Sequence, residues 1–168
     1  MEPPKDQDKI LELFKQGPGI LENALTGLSS VELDYVPSSG GWSIRQIVHH
    51  VVDGDDLWKI GIKAALGGEQ SEFSLKWYTA LPQIEWAKRW SYEKRPIDLS
   101  LTLFSAIRNH ILQLLEYAPG GWTKSVKFRN PNGEIEIVPV GFVIQMQADH
   151  VEHHVKRIME IRKEISST

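Results

Sequence analysis

QMQADHVEHHVKRI, residues 145–158, is the stretch whose reading decides the fold. It contains neither proline nor glycine and reads as one uninterrupted helix. At about 3.6 residues per turn, His150 and His154 project from one side a turn apart, and Val143, Ile158, Ile161 and Ile165 fall on that side too. His153 stands roughly 80 to 100° round from the middle of this stripe and so lies nearer water. The helix thus turns an HxxxH pair toward the interior, where an imidazole without a partner is costly. Alone, such a pair is more simply two satisfied core histidines than two metal ligands. Val151 follows His150, so the HExxH arrangement with its general-base glutamate is absent. A metal site needs a third ligand from elsewhere in the chain.

The second helix supplies one candidate. Ser43 and Gln46 form an S-x-x-Q capping box, and Trp42 and Ile47 flank it as a hydrophobic staple, so a helix is expected over 43–66 before Gly67 and Gly68. Its apolar stripe is Ile44, Val48, Val51, Trp58, Ile62 and Leu66. On that wheel His50 lies about 100° from the stripe's centre and can reach inward, whereas His49, at about 160°, mostly cannot. Asp53, just under a turn beyond His50, is placed to steady an imidazole or to accept a proton; a solvated helix acid is an equal reading.

The remaining elements follow from periodicity and breakers. A first helix is expected over 8–28, kinked or broken at Gly17-Pro18-Gly19. Ser29-Ser30-Val31-Glu32 is a capping box for a short helix ending before Pro37. Residues 69–82 read as loop, with Trp77 and Tyr78 covering the core or lining a cleft. A helical pattern follows over 83–95 up to Pro96, with Lys88, Arg89, Lys94 and Arg95 as a solvated face. A stronger helix spans 100–117 and buries Leu103, Ile107, Ile111, Leu114 and Leu115, leaving His110 at the boundary or surface. Between Ser125 and Val138 the period changes to that of a hairpin, turned by Asn130-Pro131-Asn132-Gly133. Pro139 then opens the last helix, over 140–165.

Composition narrows the function. A chain of 168 residues suits a single domain over 1–168 with one core. Nineteen Lys and Arg stand against 22 Asp and Glu, and the basic residues are scattered, so no nucleic-acid footprint is expected. MEPPKDQDK shows no leader pattern and no run is long enough to span a bilayer, so the chain reads as cytoplasmic with no membrane partner. Cysteine is absent, which excludes disulfides, a catalytic protein thiol and thiolate metal ligands. A homodimer is compatible with the sequence.

GGWSIRQIVHHVVDGDDLW, followed about a hundred residues on by HVEHHVKRI, resembles the DinB-like superfamily of four-helix bundles. The likeness is greatest to its YfiT-like branch of proposed metal-dependent hydrolases, and it extends over nearly the whole chain. The family's W-S/T-x6-H pattern corresponds to Trp42, Ser43 and His50, and its HxxxHxxxI pattern to His150, His154 and Ile158. Gln46 stands where relatives often have glutamate, and the region round His110 has no counterpart in the branch pattern. The resemblance implies an all-α, four-helix bundle with a long crossover over 67–99 and a short hairpin before the last helix. It also implies one divalent metal, nickel or zinc, held by His50, His150 and His154, the same three histidines that the helical wheels turn inward.

Three neutral imidazoles on such an ion leave a position for water or substrate. The resemblance implies either hydrolysis or transfer of a low-molecular-weight thiol such as bacillithiol, mycothiol or glutathione to a small-molecule substrate, with thiol transfer narrowly preferred. Asp53 or Asp149 could take up a proton. A non-catalytic bundle that binds a metal or ligand is the rival from another class.

Overall fold

The computed structural model describes residues 1–68 and 71–167. Four long helices carry it: α1 (Gln7–Leu25), α3 (Ile44–Gly67), α6 (Asp98–Glu116) and α7 (Val140–Ser166). Between them lie the short helices α2 (Ser30–Leu33), α4 (Lys76–Thr79) and α5 (Gln83–Arg89), with strands β1 (Glu72–Ser74), β2 (Ser125–Arg129) and β3 (Ile135–Pro139). The capping boxes at Ser29 and Ser43 both form, each serine oxygen accepting from the backbone three residues on. Each therefore satisfies donors that a bare helix start would leave open.

Each long helix has one apolar stripe, and burial of those stripes sets the bundle. α1 packs against α6 and α7, and α3 packs against the same two, so α1 and α3 face one another across a diagonal. α3 and α6, joined by the long connection, are neighbours, whereas α1 and α3, though consecutive in the bundle, are not. β2 and β3 form the expected hairpin, with Gly133 supplying the positive φ of its turn. β1 joins β2 in parallel. That third strand is a correction to the loop expected over 69–82, as is the turn of helix at Lys76–Thr79; three and four residues are too few to show a period. Glu69 and Gln70 lie outside the described residues.

Of the kink or break expected in the first helix, the break does not occur: α1 runs through Pro18 without interruption. Proline removes the N–H that would bond to Phe14 O one turn back. Arg108 of α6 replaces it, its Nη1 donating to Phe14 O at 2.7 Å. Gly17 makes the approach possible, because a Cβ there would stand 2.0 Å from that nitrogen. The same guanidinium donates to Asp55 Oδ2 at 2.7 Å and to Gln147 O at 2.9 Å, and Gln147 Nε2 donates to Asp55 O at 3.3 Å. Arg108 and Asp55 are fully buried, and the guanidinium lies over the rings of Phe14 and Phe104 at 4.3 and 4.5 Å. All four bundle helices meet in this polar layer. It separates an apolar cluster containing Phe14, Ile62, Ile111 and Ile144 from a second containing Leu21, Val48, Val51, Phe104 and Ile158.

Two further expectations are corrected. Leu103 is largely exposed, because the buried stripe of α6 runs through Phe104, Ile107, Arg108 and Ile111 instead. The helix expected over 83–95 stops at Arg89, where Ser91 takes a positive φ and Tyr92 N bonds back to Ala87 O at 2.9 Å. That reversal turns Tyr92 into the interior.

Candidate metal centre

α3 and α7 are neighbours, and their contact brings His50 against His150 and His154. His150 Nε2 stands 3.1 Å from His50 Nε2 and 3.1 Å from His154 Nε2. One ring nitrogen from each of the three lies within 4.8 Å of the others. Three nitrogens held tetrahedrally at about 2.0 to 2.1 Å from a zinc ion stand roughly 3.3 Å apart, so the spacing fits a single divalent ion. The donor chemistry fits as well. Burial, reinforced by the charge His150 would carry, pushes His50 down to about 4. Burial, with His153 and Arg108 nearby, pushes His150 to about 4; burial, with its three histidine neighbours, takes His154 to about 3. All three are therefore neutral at physiological pH, the form that ligates. Trp42 meets the His50 ring edge-on at 4.7 Å between centroids, a contact beyond the staple expected of it. His154 Nδ1 is shielded and has no protein partner among the described residues.

The other histidines lie elsewhere. His110 and His153 are exposed, as their wheel positions require. His49 is fully buried, which corrects the expectation that it mostly faces away from the interior. Its burial is not toward the other three. Nε2 donates to Arg95 O at 3.1 Å, while Nδ1 accepts from Ser100 Oγ at 2.8 Å and Arg95 Nη2 at 3.2 Å. The segment that folds back after α5 covers that flank of α3, a tertiary event that no wheel of α3 contains.

The same segment accounts for Asp53. Its carboxylate accepts from Tyr92 Oη at 2.5 Å and lies 3.8 Å from Arg95 Nη2, so it serves this second network and not the His50 ring. Burial raises the Asp53 pKa against the opposing pull of Tyr92 and Arg95. Arg95, expected on a solvated face, instead lies over the Tyr92 ring at 5.4 Å and joins His49. Asp149 is exposed and lines neither cavity beside the three histidines.

Two spaces adjoin the imidazoles. An open cleft of about 630 Å³ is bordered by Trp42, His50, His150, His153, His154 and Arg157. A more enclosed chamber of about 200 Å³ continues inward along Gly54, Trp58, Leu75, Tyr78 and Met146. His50, His150 and Gln83 border both. The chamber residues are legible only in part: of the two roles open to Tyr78, covering the core or lining a cleft, it takes the second, but Gln83 and Met146 carry no motif. Arg108 and Asp55 had a signal, since each falls on its helix's apolar stripe.

The model of the DinB superfamily matches residues 13–158. The chain belongs to the DinB superfamily. Its relatives include a protein of Oceanobacillus iheyensis, 31% identical over 147 residues, covering 87% of this chain and 80% of the relative. Another, from Bacillus cereus, is 30% identical over 160 residues, covering 95% of this chain and 87% of the relative. Both are named, by inference, as metal-dependent hydrolases. Among solved structures, YfiT from Bacillus subtilis superposes with a TM-score of 0.81 at 21% identity, covering 99% of this chain and 94% of that one. It is described as having an unusual four-helix bundle topology, and the superposition gives this DinB bundle the same fold. Among the described residues no helix is long and apolar enough to cross a membrane.

Proposed function

We propose that the protein is a metal-dependent hydrolase in which His50, His150 and His154 hold one divalent ion, zinc or nickel, through Nε2. The observation that carries the reading is the convergence of three neutral ring nitrogens at the border of an open cleft. A divalent ion in such a site supplies a Lewis acid and lowers the pKa of a coordinated water or thiol. The chain's own contribution is placement. α7 fixes His150 and His154 one turn apart, α3 presents His50 opposite them, and Trp42 braces the His50 ring from the side. Burial keeps the three rings unprotonated, so that no proton competes for their lone pairs near neutral pH. No cysteine, G-x-S-x-G elbow or HExxH glutamate offers a protein nucleophile or base, so the attacking group comes from outside the chain. The names of the relatives support hydrolysis.

One observation favours a second reading, transfer of a low-molecular-weight thiol: the cleft is far larger than water requires, and Arg157 and His153 on its border suit an anionic cosubstrate. The deciding experiment measures metal per chain in untagged protein, then assays ester and amide hydrolysis and thiol conjugation before and after chelation. Activity should vanish with the metal and return with zinc or nickel, and His154→Ala should abolish it with the helical circular dichroism retained. Full turnover by a folded, metal-free His154→Ala protein would refute the reading.

A further inference from the structure

The chamber behind the imidazoles has a chemistry of its own. Its walls are mostly apolar, Leu57, Trp58, Leu75, Tyr78 and Met146, with Gly54 against the His150 ring. Gln83 at the mouth and Gln147, whose Oε1 is buried without a partner among the described residues, are its amides, and no carboxylate, lysine or arginine lines it. A Cβ at position 54 would lie 3.4 Å from His150 Cε1, so a larger residue there would crowd the side of the ring that borders the chamber. The carboxylates beside this wall in sequence are all engaged elsewhere, Asp55 by Arg108, Asp53 by Tyr92 and Arg95, and Asp56 by Lys59. A charged ligand group entering the chamber would lose its water and meet no counter-charge. An apolar group would lose nothing and would be held by aromatic and thioether surface. At about 200 Å³ the space exceeds the roughly 150 Å³ of a cavity that takes up benzene.

Resting on the metal-centre reading, we infer that this chamber is the specificity subsite for an uncharged, apolar group of the substrate, of about the bulk of a benzene ring. The reacting part stays in the open cleft, and the apolar group passes Gln83 and lies inward against Trp58, Leu75 and Met146. Substrates are thereby sorted by what they carry on one side of the reacting centre. Small hydrophilic molecules are poorly held, and molecules with a charge on that side are rejected.

The test uses cobalt(II)-loaded protein and a series of hydroxamates, read by the cobalt visible spectrum. From acetohydroxamate through butanohydroxamate to hexanohydroxamate, affinity should rise about fourfold per methylene and then level off or fall by decanohydroxamate. The adipate monohydroxamate, with a carboxylate at the far end, should forfeit that gain. Met146→Trp, and independently Leu75→Trp, should collapse the hexanohydroxamate to acetohydroxamate affinity ratio toward one. Head-group binding without chain-length dependence in the wild type would overturn the subsite and leave the metal reading standing. If no cobalt binds, the metal reading fails, and the chamber is judged by the methyl resonance of Met146 on adding benzene to the metal-free protein. A saturable shift supports the chamber, and its absence overturns it.

Discussion

Replacing Arg108 by methionine should destabilise the protein severely, and in a way that depends on pH. The guanidinium is 1% exposed and bonds to Asp55 of α3, Phe14 O of α1 and Gln147 O of α7. Methionine fills much of the volume and makes none of these bonds. Removing one member of a buried ion pair typically costs about 3 to 5 kcal/mol. Phe14 O loses its partner as well, since Pro18 has no N–H to offer, and an unsatisfied buried acceptor adds on the order of 1 to 3 kcal/mol. The two overlap, so about 4 to 6 kcal/mol is expected near neutral pH, a large share of the stability of an ordinary domain. Burial already pushes the Asp55 carboxyl up to about 6 against the pull of Arg108, and without Arg108 it rises further. A carboxyl whose folded pKa exceeds its unfolded one binds protons preferentially in the native state. The variant's deficit relative to the wild type should therefore shrink as pH falls through its further-raised Asp55 pKa toward about 6, by up to about 1.4 kcal/mol per pH unit. Asp55→Leu in the same chain should restore much of the loss. Urea unfolding of the wild type, the single variant and the double variant at pH 5 and 7.5 measures all of this. A single-variant loss below about 1 kcal/mol, or no recovery in the double variant, would refute the account of the polar layer.

Alanine substitution of each histidine should separate metal binding from folding: His50, His150 and His154 variants lose bound metal, and His110 and His153 variants keep it. His49→Ala should keep its metal but lose on the order of 1 to 3 kcal/mol, because Ser100 and Arg95 lose their buried partner; equal metal loss from His49→Ala and His50→Ala would contradict the geometry. The metal-free protein should also weaken in mild acid. His50 and His150 titrate at about 4 and His154 at about 3 when folded, against 6.5 when unfolded, so the unfolded chain takes up protons that the native one refuses. This stability is fully present above pH 6.5 and falls between there and about 4, by up to about 1.4 kcal/mol per pH unit for each proton; a flat profile across that window would mean the rings are not held neutral.

Local chemistry determined much of this protein. The capping residues Ser29 and Ser43 started their helices because side-chain and backbone partners lie within four residues of one another, and the His150–His154 pair shared a face because helical geometry leaves no alternative. The same geometry let His50 reach inward from α3, and the packing of α7 against that side brought the three rings together. What the tertiary structure alone decided were the contacts made over long separations. α1 stayed intact through Pro18 because Arg108, ninety residues on, supplied the missing donor. His49 was buried because the chain reversed at Ser91 and laid Tyr92 and Arg95 along a flank that a helical wheel assigns to water, taking Asp53 into the same network. A wheel knows one helix and its nearest turns. Which surface is covered, and by what, depends on where the rest of the chain returns.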